Sequence, residues 1–298
     1  MEQAKIYRRI QSISKLSTLP VIAAKVVSMV ENPKTTASEL GKVISTDQAL
    51  TSRILRLANS AYYGFPRKIS TLTLAIVVLG FSTLKDLVLS ISILGNFKTD
   101  KEHELFDPAL FWEHGFTVAI ASKIIAEDMR MSAKGEAFVA GLLHDIGSLV
   151  LFEYFHDEFN KIVETAKTEK LNILEAEKKV LGINHATIGG WLAESWHLPE
   201  TLYQTIAYHH NPLNVRKKAQ QNLAAVVYLA DLMAAMVDKN LPMEKYKDLT
   251  EEKINIVKQK LFPENNRNVS FYLEKLNREL ENAHDFFELF AEHSKESI

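Results

Sequence analysis

The sequence predicts an all-α protein, a multi-helix bundle with an N-terminal helical lobe. Only 11 glycines and 8 prolines punctuate 298 residues, and no alternating apolar–polar stretch is long enough for a useful strand. The breaks at Pro20, Asn32-Pro33, Gly64 to Pro66, Pro108, Pro199 and Pro212 divide the chain into pieces of helical size. A hydrophobic content of 47% is ample for a core.

Several helix starts are readable from capping chemistry. Thr36 or Ser38 precedes ELGKVI, Asp47 precedes ALTSRILRLA, and Asp107 stands before Pro108 at a first helical position. In the front lobe Leu40, Val43, Ile44, Leu50, Ile54, Leu55 and Leu57 recur at helical spacing and are expected to form its core. Tyr62 to Pro66 reads as a tight turn between helices, and Trp112, Trp191 and Trp196 as packing residues. The charged stretch KTDKEHE divides a front lobe, 1–97, from a second lobe, 98–240, and LPMEKYKDLTEEK opens a C-terminal helical extension, 241–298. In that extension a helix over Val269 to Glu292 carries Phe271, Leu273, Leu276, Leu280, Phe286, Phe287 and Phe290, a face expected to pack as core.

Charge and composition exclude some roles. With 35 basic and 37 acidic residues the net charge is -2, which gives no global field toward nucleic acid or an anionic membrane. The segment TTASELGKVISTDQALTSRILRLANS has the outline of a helix-turn-helix, yet only Arg53, Arg56, Arg67 and Lys68 gather there. That is few for a duplex, so a solvated arginine face is the preferred reading and nucleic acid is not an expected partner. The start MEQAKIYRRI lacks an apolar signal core, and the run Leu74 to Phe81 meets Lys85 and Asp86 too soon to span a bilayer. The chain has no cysteine, so disulfides are ruled out and the expected location is cytoplasmic, away from membranes.

The chemistry lies in His114, the pair His144 and Asp145, His185, the pair His209 and His210, and Asp231. Val118, Ala121 and Ile125 flank His114 at helical spacing, and Ala224, Val227 and Ala235 flank Asp231, so both polar groups lie on apolar stripes. The pair His144-Asp145 likewise interrupts AGLLHDIGSLVLF, which otherwise reads as buried helix. A carboxylate in such a place needs a cation or a dense set of donors. A lone histidine on an apolar face is usually a core residue, but the ensemble points to a buried metal centre. With no thiolate available, nitrogen and oxygen donors suit a divalent transition metal such as Fe, Mn, Zn or Ni, as one or two ions. Neighbouring histidines on an ideal helix point about 100° apart, so His209 and His210 both face one centre only if the helix ends there, as Asn211-Pro212 suggests. The remaining histidines, His103, His156, His197, His284 and His293, read as surface or helix-end residues.

The motifs ENPKTT, ISTDQALTSRILRLANSAYYG and TLAIVVLG, followed by FWEHG, AGLLHDIG, NHATIGGWLAESWHLP, HH and YLAD, resemble an HDOD domain over about residues 12 to 237. That family is a branch of the HD superfamily of helical metal-binding proteins and includes bacterial regulatory modules. The resemblance implies that His114, His144, Asp145 and Asp231 hold one metal, and that His185, His209 and His210 match the added ligands of branches with more ions, the HD-GYP phosphodiesterases and di-iron oxygenases among them. Asp145 would bridge two ions, about 3.5 to 4 Å apart in such centres. The chain departs from the HD-GYP enzymes in having Ser148 where they carry a lysine, and NPLNVRKKAQQ where they carry Gly-Tyr-Pro. The resemblance therefore implies a signal-transduction module with a retained metal site, acting mainly on a signalling protein partner. The alternative is a metal-dependent phosphohydrolase acting on a nucleotide or other small phosphorylated ligand.

Overall fold

The computed structural model describes residues 2–13, 19–95, 97, 106–131, 134–237, 249–283 and 287–288. Among these residues the regular secondary structure is helical and there is no β-strand. The chain divides into two compact units, one of Met1–Ser17 with His103–Leu276, the other of Thr18–Glu102 with Asn277–Ile298.

The larger unit begins with α1 (Glu2–Ser12) and resumes at α7 (Pro108–Asp128). It continues through α8 (Lys134–Leu143), α9 (Ile146–Tyr154), α10 (His156–Glu169), α11 (Ile173–Leu181), α12 (His185–Ser195) and α13 (Glu200–Tyr208). A 3-10 turn (Pro212–Asn214) leads into α14 (Lys218–Val237), α15 (Glu251–Leu261) and α16 (Val269–Asn282). Asp107 caps α7 by accepting from the amides of Ala109 and Leu110, with Pro108 at the first helical position as its fixed φ favours. Over its central turns α7 is buried nearly all round, between α8 and α14. Helix α12 packs on α9 and α13, and α13 on α14, so these six helices form one packed group.

Glycines set the closest of these crossings. A Cβ on Gly147 would lie 2.0 Å from the carbonyl oxygen of His185 and 2.8 Å from the amide nitrogen of Gly189, so α9 and α12 meet backbone to backbone. A Cβ on Gly141 would meet Ala119 Cα and Val118 O, both at 2.8 Å, on α7. Helix α1 is tied to this unit by Gln3, which donates to Gly182 O at 2.8 Å, and by Arg9, which donates to Tyr154 O at 2.8 Å. Tyr7 meets Trp191 edge to face at 5.1 Å, while Trp112 and Trp196 are buried, so all three tryptophans pack within the unit.

The C-terminal helix departs from the expected face at Phe271. It is described over Val269–Asn282, with 287–288 also helical, and its buried residues in this unit are Val269, Tyr272 and Leu276. Phe271 is 39% exposed, with the Arg267 guanidinium 4.4 Å above its ring, and Leu273 and Leu280 are half-buried. Tyr272 sets the register because its hydroxyl donates to Asp128 at 2.7 Å, an anchor that outweighs the larger apolar area of Phe271. Phe287 is half-buried, and Phe286 and Phe290 lie outside the described residues.

The smaller unit contains α2 (Val21–Glu31), α3 (Ala37–Ile44), α4 (Gln48–Ala58), α5 (Leu72–Leu79) and α6 (Phe81–Leu94). Thr36 forms a capping box with Glu39, and Asp47 accepts from the Leu50 amide. Leu40, Ile44, Leu50, Ile54 and Leu57 are buried as expected, with Val43 and Leu55 half-buried. The side chain of Asn59 donates to and accepts from the backbone of Ile69, both at 2.8 Å, and so closes the loop that contains Tyr62 to Pro66. Arg53 and Arg56 are half-buried rather than on a solvated face, and Arg56 pairs with Glu288 at 2.9 Å. Long aliphatic stems let arginines cover apolar surface, which residue type alone does not announce.

By length and composition one described run, Gly135–Tyr154, is apolar enough to cross a membrane, but 78% of it is buried inside the protein. It is also interrupted at His144-Asp145, between α8 and α9.

The Gly147 crossing generates a test. Gly147→Ala places a methyl group against backbone that cannot yield, and is expected to cost about 2–3 kcal/mol. Urea unfolding should show a lowered midpoint with an unchanged m-value; an unchanged midpoint would contradict this packing.

Candidate metal centre

The seven residues singled out from the sequence come together in the larger unit. His114 projects from α7 and Asp231 from α14, each 7% exposed. His144 and Asp145 form the turn between α8 and α9, and the helix break aims both inward where a continuous helix would separate them. His185 is the first residue of α12. Helix α13 ends at Tyr208, leaving His209 at its C-cap and His210 in the turn beyond, so adjacent histidines face the same centre.

Two donor groups share Asp145. Asp145, His185, His209 and His210 form one, and His114, His144 and Asp145 the other, with the donor atoms of each group within 4.8 Å of one another. Asp145 Oδ1 lies 3.0 Å from His185 Nε2 and 3.3 Å from His209 Nε2, while Oδ2 lies 3.5 Å from His144 Nε2. Asp231 joins the second group, with Oδ1 3.2 Å from His114 Nε2 and 3.9 Å from His144 Nε2.

The rings are held in the tautomer a metal requires. His144 Nδ1 donates to Gly141 O at 2.7 Å and His209 Nδ1 to Ile206 O at 2.8 Å. Each Nε2 is therefore left with a lone pair directed at the centre. These two Nε2 atoms and Asp145 Oδ1 are buried and make no hydrogen bond among the described residues. Orphaned donors of this kind are costly unless a cation answers them, so the buried His/Asp cluster fits a metal ion.

The acid–base balance points the same way. Burial drives the His144 pKa down to about 4, assisted by His209 and His114 and only partly opposed by Asp145 and Asp231, so its ring is neutral. Burial also lowers the pKa of His210, and the neighbouring histidines add to the effect. Burial opposes ionisation of Asp145 and Asp231, but the surrounding histidines more than compensate and hold both carboxyls below their usual range. His185 is the exception. Burial disfavours its cation, yet Glu177 and Asp145 outweigh that and raise its pKa to about 10. The Nε2 atom of His185 lies 3.0 Å from Asp145 Oδ1 and 2.9 Å from His210 Nε2.

Glu177 was not visible as a site residue in the sequence. It sits on α11, is 2% exposed, and accepts from His185 Nδ1 and from the His185 amide, each at 2.9 Å. Its surroundings, LEAEKKVLG, look like an ordinary charged helix, and only the turn at Gly182 folds it back onto α12. Of the other histidines, His156 opens α10 and His197 is exposed after α12, both helix-end positions; His103, His284 and His293 lie outside the described residues.

Comparison with known proteins agrees with this architecture. An HDOD domain protein of unknown function from Geobacter sulfurreducens is 27% identical with a TM-score of 0.80, over 97% of this chain and 98% of that one. A protein from Shewanella amazonensis SB2B, whose assignment as a phosphohydrolase is itself an inference, is 26% identical with a TM-score of 0.75, over 98% of both chains. An uncharacterised protein of Treponema pallidum (strain Nichols) is 25% identical over 235 residues, and the chain spans 45% of its length. The HDOD domain family matches residues 16–212, which include the helix-break pair, the α12 histidine and the histidine pair after α13, so the chain belongs to the HDOD domain family.

Proposed function

We propose that the chain is a cytoplasmic signal-transduction module that holds a dinuclear centre and acts mainly through contacts with a signalling protein. One observation carries this reading: seven candidate donors from five helical elements meet, with the tautomers of His144 and His209 set by backbone carbonyls and Asp145 shared between two groups. His114, His144, Asp145 and Asp231 would hold one ion, and Asp145, His185, His209 and His210 the other. The donor set accepts Fe, Mn, Zn or Ni, and supply and geometry decide among them. Because the donors lie on α7, the α8–α9 turn, α12, α13 and α14, occupancy would stabilise their packing and give the module two distinct states.

Catalysis is the second reading, and the accessibility of Asp145 favours it. Its side chain is 24% exposed while those of the other paired donors are at most 10%, which leaves one open side. Ions bound there would activate water and brace a phosphoryl oxygen. The chain itself supplies less: Ser148 stands where a phosphate-binding lysine would be, and NPLNVRKKAQQ replaces the Gly-Tyr-Pro loop. Orientation of a substrate is worth roughly 7–11 kcal/mol of a barrier, so this deficit favours the regulatory reading.

Elemental analysis of protein purified without chelator or affinity-tag metal is expected to give close to two ions per chain. Asp145→Ala, folded by circular dichroism, should hold at most one; equal loading of both proteins would refute a shared ligand. Protein loaded with Mn or Fe is expected to release no phosphate from a nucleotide panel, and release abolished by Asp145→Ala would decide for the hydrolase.

Loading should also depend on pH. His185 keeps its proton below pH about 10 in the free protein, so binding at pH 7 to 9 displaces it and affinity should rise with pH by about tenfold per unit from this group. Calorimetry in buffers of different ionisation enthalpy would show the released proton; a pH-independent affinity would contradict the assignment of His185.

A further inference from the structure

The two donor groups differ in how their rings are supported. His144 and His209 lean on neutral backbone carbonyls, Gly141 O and Ile206 O. His185 leans instead on a carboxylate, with both oxygens of Glu177 2.9 Å from its Nδ1. The groups also differ in charge. The group around His114 and His144 has Asp231 within 3.9 Å in addition to Asp145. The group of His185, His209 and His210 has three imidazoles and only the shared Asp145. A divalent ion in that second position is short of negative charge in a buried, weakly screened place.

We infer that Glu177 is the positioning residue for a divalent ion at the His185 position, and that without it this ion is held more weakly while the other keeps its affinity. This rests on the metal-centre reading above. The geometry fits the role on three counts. The Glu177 side chain is 3% exposed, so its charge is poorly screened and acts on what it touches. Its contact fixes the proton on His185 Nδ1 and leaves Nε2 to face Asp145 Oδ1 at 3.0 Å and His210 Nε2 at 2.9 Å. One oxygen also accepts the His185 amide, a donor at the start of α12 that would otherwise lack an acceptor, so ring and backbone are gripped together. The grip is built by local sequence: Gly182 ends α11 in the left-handed region at φ 75, and Asn184 caps α12 by accepting from Thr187 N. That corner returns Glu177 to a residue eight positions later in the chain.

The carboxylate thus lends its charge through the ring without touching the ion. Such outer partners typically change metal affinity by roughly 10–100-fold. The effect should fall on one position only, since Glu177 contacts no member of the His114–His144–Asp231 group among the described residues.

The test is titration of the full chain with Co2+, followed by visible absorption and calorimetry, for wild type, Glu177→Gln and Glu177→Asp. Wild type should bind two ions. Glu177→Gln should keep one ion with unchanged affinity and absorption and bind the second roughly 10–100-fold more weakly. Glu177→Asp, which keeps the charge, should recover part of that loss. A melting curve of the metal-free proteins separates a structural role: equal weakening of both ions, or a lowered melting temperature with both affinities intact, overturns the inference. Wild type that takes up no Co2+ overturns the metal centre itself, whereas two ions bound equally by wild type and Glu177→Gln overturn only the role of Glu177.

Discussion

The constraint on which this structure rests is the cost of carrying ionised carboxylates inside a helical bundle. Asp145, Asp231 and Glu177 lie in or beside a core made of alanine, valine, leucine and isoleucine, where an unanswered charge costs several kcal/mol. Each is answered by imidazole, and the backbone is shaped to bring the two together. The bundle breaks at His144-Asp145, starts a helix at His185 and stops one at His209. Helix ends are where side chains of adjacent residues can converge, which is why three of the five donor-bearing segments are ends or turns and only α7 and α14 contribute from mid-helix.

Much of this was legible in the sequence, for physical reasons specific to the residues. Asp107-Pro108, Asp47 and Thr36 announce helix starts because their side chains satisfy amides that nothing else can reach. The ligand set was legible because histidine and aspartate are conspicuous among apolar neighbours, and the motifs around them carry the family resemblance. Glu177 was hidden for the opposite reason. Its neighbours are Glu175, Lys178 and Lys179, and a buried acid among exposed charges has no local signature. The docking of α1 was hidden as well, since Gln3, Tyr7 and Arg9 find their partners more than a hundred residues away. On the last helix Leu276 is buried as its spacing suggests, but Phe271 is exposed and its neighbour Tyr272 is buried, with its hydroxyl donating to Asp128, a partnership that side-chain size does not announce.

Membership of the HDOD domain family and the gathered donors set the terms for function. The centre fits an ion through a neutral His144 ring, Nδ1 protons placed on His144 and His209, carboxyls of lowered pKa and a shared Asp145. What the sequence withholds is a lysine at position 148 and a phosphate-holding loop after the histidine pair. A site rich in ligands and poor in substrate contacts is better suited to sensing occupancy than to turning over a phosphoester, and that asymmetry orders the two readings.

Gly147 has a consequence for how such a site tolerates change. With no side chain between α9 and α12, the main chains that carry Asp145 and His185 approach as closely as backbone allows. Substitutions elsewhere in the apolar interior can alter volume and shape while those two donors stay in place. The coordination chemistry is thereby insulated from drift in the surrounding hydrophobic residues, so long as that one position remains without a side chain.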